Sequence, residues 1–152
     1  MKIVYLADYM DWVPFLARWH VAAWQPLYPG WCEEEAAAEL RTHRMGCALP
    51  TTLLVLENGR CLGSVSLLQE DAREFAPLSP WLGNLYVTET ARKRGIGRKL
   101  VLRAEEEARS LGIPVLYLFT EDREDFYTVL GWQRLRVDTL SGRVVVIMEK
   151  RL

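Results

Sequence analysis

The chain reads as one α/β domain of 152 residues, a mixed sheet with helices on both faces. Three observations carry this. Short apolar strand-like runs alternate with helix-periodic segments in the order βααβββαβαββ. Asn58-Gly59 separates two apolar runs, the mark of a tight hairpin, and Ser141-Gly142 stands between the last two strands. Gly97 to Leu111 places Leu100, Val101, Ala104, Ala108 and Leu111 on one helical face, with Arg98, Lys99, Glu105, Glu106 and Arg109 elsewhere. No repeat, linker or low-complexity run interrupts the sequence, so a single domain is expected over 1–152.

Taken in order, Lys2 to Ala7 forms a first strand. Asp11 is expected to cap a helix from Trp12 to Trp24, with Pro14 tolerated in its first turn. Pro26, Pro29 and Gly30 break that helix, and a second runs from Glu33 to Arg44 with Ala36, Ala37 and Leu40 inward. Thr52 to Leu56 and Cys61 to Leu68 form the hairpin. Glu70 to Pro80 is a loop, stiffened by Pro77 and Pro80, and Leu82 to Thr88 is the next strand. Gly112 stops the long helix and Pro114 prevents its return. Val115 to Phe119 is a strand, Glu124 to Leu130 a short helix closed by Gly131, and Trp132 to Val137 and Arg143 to Glu149 end the chain.

Composition narrows the function classes. Half the residues are hydrophobic and about a quarter charged, as in a water-soluble globular protein. The start carries Asp8 and Asp11 where a signal peptide would be apolar. The uncharged stretch from Phe75 to Thr88 is too short to span a bilayer. Cys32, Cys47 and Cys61 are odd in number and widely spaced, so buried free thiols are expected rather than disulfides. His43 with Cys47 and Cys32 matches no zinc spacing. A cytoplasmic protein without metal, with no membrane partner, monomeric or homodimeric, is the expectation.

The most informative segment runs from Leu85 to Leu100. An apolar strand end, Leu85-Tyr86-Val87, leads into Arg92-Lys93-Arg94-Gly95-Ile96-Gly97-Arg98, and the long helix follows. Such a loop aims consecutive main-chain N–H groups at one point, and the helix adds the positive end of its dipole. Arg92, Lys93, Arg94, Arg98 and Lys99 are five cations in eight residues of a chain whose net charge is −1, so the positive charge is local. That indicates one multiply charged anionic ligand. A nucleic-acid partner is disfavoured, because the rest of the chain carries no basic face. The Walker pattern is absent, and the dinucleotide pattern fails because Leu100 stands where its third glycine would be.

What fits is [RQ]-x-x-G-x-[GA], which resembles the pyrophosphate loop of the GNAT superfamily of acyl-CoA-dependent N-acetyltransferases. About thirty residues later, Phe126-Tyr127-Thr128-Val129-Leu130-Gly131-Trp132 is similar to the family's F-Y-x-x-x-G-[FW] signature. The resemblance is specific from Ser79 to Trp132. It implies acetyl-CoA as co-substrate, its pyrophosphate held by Arg92 to Arg98 and its pantetheine arm beside Leu85, Tyr86 and Val87. It also implies direct transfer to an amine, with no acyl-enzyme. Tyr127 stands at the family position for the acid that protonates the departing thiolate; its other reading is packing of the short helix. Where many members carry a strand glutamate as base, this chain has Trp81. Glu70 and Asp71 are the nearest substitutes, Glu74 a third, and a solvated acidic loop is the competing reading. Trp24, Tyr28 and Trp31 are candidates for the acceptor wall, whereas Trp12 and Trp19 are read as core. A non-catalytic CoA-binding module of the same fold is the alternative function.

Overall fold

A strand with an unbroken apolar run needs a cover on both faces, and Thr51–Glu57, with Leu53 to Leu56 at its centre, is such a strand. The computed structural model describes residues 1–44, 46 and 48–152, so Cys47 lies outside the described residues. Leu53 and Val55 of this strand (β2) face one core, and Leu54 and Leu56 face another. The first core is closed by the long helix α3 (Ile96–Ser110) through Leu100, Val101, Ala104 and Ala108. The second is closed by α1 (Val13–Trp24) and α2 (Glu33–Arg41) through Leu16, Ala17, Ala36 and Leu40.

Around β2 the sheet has seven strands. The others are β1 (Lys2–Tyr5), β3 (Arg60–Leu68), β4 (Trp81–Val87), β5 (Val115–Thr120), β6 (Gln133–Leu140) and β7 (Arg143–Arg151). Their spatial order is β1-β2-β3-β4-β5-β7-β6. All neighbours are antiparallel except β4 and β5, which are parallel. With α4 (Glu124–Val129) between β5 and β6, the chain order is βααβββαβαββ, as read from the sequence. Both turn dipeptides form: Asn58 (φ 51°) with Gly59 (φ 73°), and Ser141 (φ 51°) with Gly142 (φ 76°), each join hairpin strands through left-handed residues. A third cluster fills the β4–β7 end of the sheet with Phe75, Trp81, Val145 and Ile147.

Several expectations are corrected. Asp11 does not cap α1: it lies in a 3-10 turn, Met10–Trp12, and Trp12 occupies the cap without a side-chain bond. Strand β1 ends at Tyr5, because Leu6–Asp8 is already a 3-10 turn that buries Leu6. Helix α2 stops at Arg41, not Arg44. Cys61 is buried, and burial pushes its thiol up to about 11, whereas Cys32 is half-buried at the start of α2. Glu105 is not on a solvated face but is 1% exposed. It accepts from Lys150 Nζ of β7 at 2.5 Å, with Arg109 at 3.7 Å, and so ties α3 to the sheet. No helix among the described residues is long and apolar enough to cross a membrane.

Lys150→Ala leaves the Glu105 carboxylate in the core with only Arg109 nearby, so it should cost about 3 kcal/mol of stability, read from urea unfolding. A loss within experimental error would mean that the pair is solvated in solution.

Candidate active site

The parallel pairing of β4 with β5 is in register only at Trp81↔Tyr117, where Tyr117 N–H donates to Pro80 O at 3.1 Å. Beyond that point β4 runs on to Val87 and β5 to Thr120 without pairing. The gap between them is a cleft of about 680 Å³, lined by residues 82–87 on one side and 118–120 on the other. Along it, the β4 edge presents main-chain donors and acceptors that have no strand partner and are free to bond a ligand.

The N-terminus of α3 closes one end of the cleft. Lys93 (φ 63°) and Gly95 (φ 76°) are both left-handed, and Gly95 caps the helix. The first-turn N–H groups of Ile96, Gly97 and Arg98 have no intrahelical acceptor and carry the positive end of a 15-residue dipole. A Cβ built on Gly95 would meet nothing within 4 Å, so glycine is needed there for its backbone angle, and the space above it is open. Gly97 has ordinary helical geometry because it already lies inside the first turn. Its bare face lies along Phe126 and Val87: a Cβ there would stand 3.5 Å from Phe126 Cζ.

The cations of the loop divide. Arg92, Lys93 and Arg98 line the cleft, with Gly95, Ile96 and Gly97. Arg92 Nε also donates to Val87 O at 3.0 Å, and its guanidinium lies 5.9 Å from the Tyr86 ring centre, sealing the loop to the end of β4. Arg94 turns away and pairs with Glu57 at 3.0 and 3.1 Å. Leu85, Tyr86 and Val87 all line the cleft. Trp19, read from sequence as core, is half-buried and stacks on Tyr86 with ring centres 5.6 Å apart.

Trp81 is fully buried against Phe75, Tyr117 and Phe119, and its indole N–H donates to Leu78 O at 2.6 Å. Its position is dry and aromatic. Asp71 reaches the strand from the β3–β4 loop instead: Oδ2 lies 2.8 Å from where a Cβ would stand on Gly83. The missing side chain of Gly83 is what admits the carboxylate. Tyr28 O–H donates to Asp71 Oδ1 at 2.9 Å. Burial pushes the Asp71 carboxyl up to about 6, the Tyr28 bond opposes that, and the charge of Glu39 adds to it. Burial likewise raises the Tyr28 phenol, so it stays a donor.

Glu70 is separated from its neighbour. Its side chain is 57% exposed, 4.0 Å from Arg73, and faces a second hollow of about 410 Å³. Trp31 lines that hollow too, whereas Trp24 lines the main cleft and Tyr28 and Asp71 border both. Tyr28 and Trp31 meet edge-on at 5.4 Å.

Tyr127, 7% exposed, enters the cleft from α4 between Phe126 and Trp132, with ring centres at 5.0 and 6.2 Å. Burial raises its phenol, opposed by the charge of Arg123, so it is protonated at neutral pH. Among the described residues its hydroxyl has no hydrogen-bond partner.

Sequence reasoning missed Asn84. It lies between the cleft and the hollow in left-handed conformation (φ 52°), in a bulge where Asn84 and Leu85 together oppose Val65. The signal was present: Gly83-Asn84, a turn-like dipeptide inside an apolar strand, marks a bulge or a close approach.

The model of the acetyltransferase (GNAT) family matches residues 13–132. No curated protein matches the chain. Among solved structures, the fold is similar to that of a ribosomal-protein-alanine N-acetyltransferase from Brucella melitensis, 21% identical with TM-score 0.76 over all of both chains. It is also similar to an aminoglycoside 6'-N-acetyltransferase from Enterococcus faecium, 19% identical with TM-score 0.73 over 99% of this chain and 97% of that one. A putative acetyltransferase from Salmonella typhimurium, solved with its cofactor acetyl-CoA, is 18% identical with TM-score 0.75, covering 99% and 93%.

A carboxyl raised from 3.8 to about 6 binds its proton more tightly folded than unfolded, so the stability it lends is full below about pH 4 and lost as pH rises through 6. Carbon-detected NMR titration should place Asp71 near pH 6, Tyr28→Phe should move it higher still, and Asp71→Asn should remove that slope from the stability–pH curve. An Asp71 titration near the ordinary value would contradict the buried placement.

Proposed function

We propose that the chain, which belongs to the acetyltransferase (GNAT) family, moves the acetyl group of acetyl-CoA onto an amine in the cleft between β4 and β5, with Asp71 as base and Tyr127 as acid. The observation that carries this reading is that one cleft gathers the glycine loop, the unpaired β4 edge and two groups poised in opposite protonation states. The loop from Arg92 to Arg98 takes the pyrophosphate on its N–H groups and on Arg92, Lys93 and Arg98. The pantetheine amides pair with the free edge at Leu85, Tyr86 and Val87, and an N–H of that edge faces the thioester oxygen.

The step balances without a covalent enzyme intermediate. The amine nitrogen bonds the thioester carbon, the carbon–sulfur bond breaks, the amine proton passes to Asp71 directly or through one water, and the thiolate takes the Tyr127 proton. For a lysine-like amine near pKa ~10.4, neutralisation at pH 7 costs roughly 4–5 kcal/mol, against roughly 1 kcal/mol for an α-amine near ~7.8. A carboxylate at about 6 is ionised at pH 7 and also draws a cation to the reacting carbon. Trp24 and Tyr28 supply the aromatic wall, and Trp31 and Glu70 extend it into the adjoining hollow. This suits a cationic small-molecule amine or a peptide N-terminus; the names of two structural neighbours contain an aminoglycoside and a ribosomal-protein alanine. Dependence on acetyl-CoA favours a cytoplasmic setting.

The test is thiol release from acetyl-CoA with aminoglycosides, polyamines and short peptides as acceptors. Acetyl-CoA at 100 times its dissociation constant should add roughly 2.7 kcal/mol of stability, with ATP and NAD adding far less. Equal effects of all three would make the loop a generic anion site.

Tyr127→Phe keeps the ring and deletes the proton; kcat should fall by roughly 10²–10³ with cofactor affinity intact. In the wild type, kcat/KM should rise through about pH 6 as Asp71 ionises and show no alkaline limb from Tyr127. Asp71→Asn should abolish the acid limb. Wild-type turnover in either variant would remove that residue from the mechanism.

A further inference from the structure

We infer that two buried hydrogen-bond chains, His20–Ser64 and His43–Thr52–Ser66, are positioning residues for acetyl transfer: they lock Asn84 in its left-handed turn and so fix the β4 main chain against which the thioester lies. The inference rests on the acetyl-CoA reading above and adds what aims the β4 edge.

Both chains end on Asn84, one on its main chain and one on its side chain. A carbonyl only accepts, so Ser64 Oγ donates to Asn84 O at 2.8 Å; its oxygen then accepts from His20 Nε2–H at 2.9 Å. The Asn84 amide nitrogen only donates, to Ser66 Oγ at 3.0 Å. Ser66 Oγ shares a hydrogen bond with Thr52 Oγ1 at 2.7 Å, and Thr52 Oγ1 shares one with His43 Nδ1 at 2.5 Å. The direction of the Ser64 bonds and the Nε2–H tautomer of His20 therefore follow from Asn84, while the Ser66–Thr52–His43 chain closes with either hydroxyl as donor. Burial lowers His20 to about 3 and His43 to about 4, which keeps both rings in the neutral form these bonds require.

All five supporting side chains are buried, none more than 7% exposed. Apolar residues of similar size would fill that space at no desolvation cost, so a fully satisfied polar network here specifies a conformation more than it adds stability. The conformation it specifies matters at the cleft. Two β4 residues oppose one β3 residue, so the bulge shifts the phase of everything after it. Without it, the side chains and main-chain groups from Leu85 to Val87 would exchange sides. A left-handed non-glycine residue persists in a strand only when its surroundings over-determine it, and Asn84 is held at both of its polar ends.

The test needs no acceptor amine. Wild-type protein should bind acetyl-CoA roughly 2–10-fold more tightly than CoA, the net worth of one hydrogen bond to the thioester oxygen. It should also displace the carbonyl resonance of bound [1-13C]acetyl-CoA from its free position. Asn84→Ala, which loses the tether and disfavours the left-handed angle, should bring the affinity ratio towards one and the resonance back towards free. Asn84→Gly tolerates the angle but has no tether, and should fall between the two. If Asn84→Ala does not fold, Asn84→Gly and Ser66→Ala decide the matter by the same readouts. Variants that melt lower yet keep the wild-type resonance and ratio would reduce the chains to a structural role and overturn the inference. A wild type that binds both ligands with equal affinity and no displaced resonance would overturn it too. Failure of the wild type to bind either ligand would overturn the acetyl-CoA reading itself, and this inference with it.

Discussion

The parting of β4 from β5 after Trp81↔Tyr117 is the constraint on which the rest of the structure depends. In the middle of a sheet, main-chain groups on both edges of a strand are normally consumed by neighbours, because leaving them unpaired away from water is costly. Here one edge of a central strand is left free over several residues and opens into a cleft. The sheet survives the split because β4 stays paired to β3 and β5 stays paired to β7 along its length. What the split creates is a row of fixed donors and acceptors with nothing to reorganise when a ligand arrives. The N-terminus of α3 stands at the open end of that row, so a ligand with an anionic end and an amide-bearing arm meets both at once.

The placement of charge follows from the same geometry. An acid on β4 at position 81 would have to ionise inside a cluster of Phe75, Tyr117 and Phe119, where Trp81 instead gives the largest apolar filling. The carboxylate comes from a loop and approaches the strand where Gly83 has no side chain. Its burial raises its pKa, and the bond from a single phenol holds that rise short of neutralising it at pH 7. Tyr127 is treated the opposite way, buried among rings with its proton retained. Desolvation shifts both groups the same way: the carboxyl rises yet stays ionised at pH 7, and the phenol, protonated in any case, holds its proton more firmly.

Much of this was legible in the sequence because it is local. Periodicity fixed the element order, turn dipeptides fixed the hairpins, and the glycine loop followed by an amphipathic helix located the anion cradle within a few residues. The departures have physical reasons. Asp11 did not cap α1 because a 3-10 turn intervened before the helix, and a pattern of residue types does not resolve that choice. Gly97 and Gly95 look alike in sequence, yet only the one before the helix is left-handed. Arg94 reads as one more cradle cation until Glu57, thirty-seven residues away, is found beside it.

By itself, then, the sequence determined the fold class, the family signature and the position of the anion loop, since each is written in residues close along the chain. Only the tertiary structure decided which carboxylate faces the cleft, because Glu70 and Asp71 are adjacent and interchangeable in sequence, yet both border the hollow and only Asp71 also borders the cleft. It alone decided that His20, His43, Thr52, Ser64 and Ser66 converge on Asn84, a meeting of residues from α1, the segment after α2, β2, β3 and β4. Contacts of that kind are fixed by strand register and helix packing, and those are properties of the whole sheet that no single segment carries.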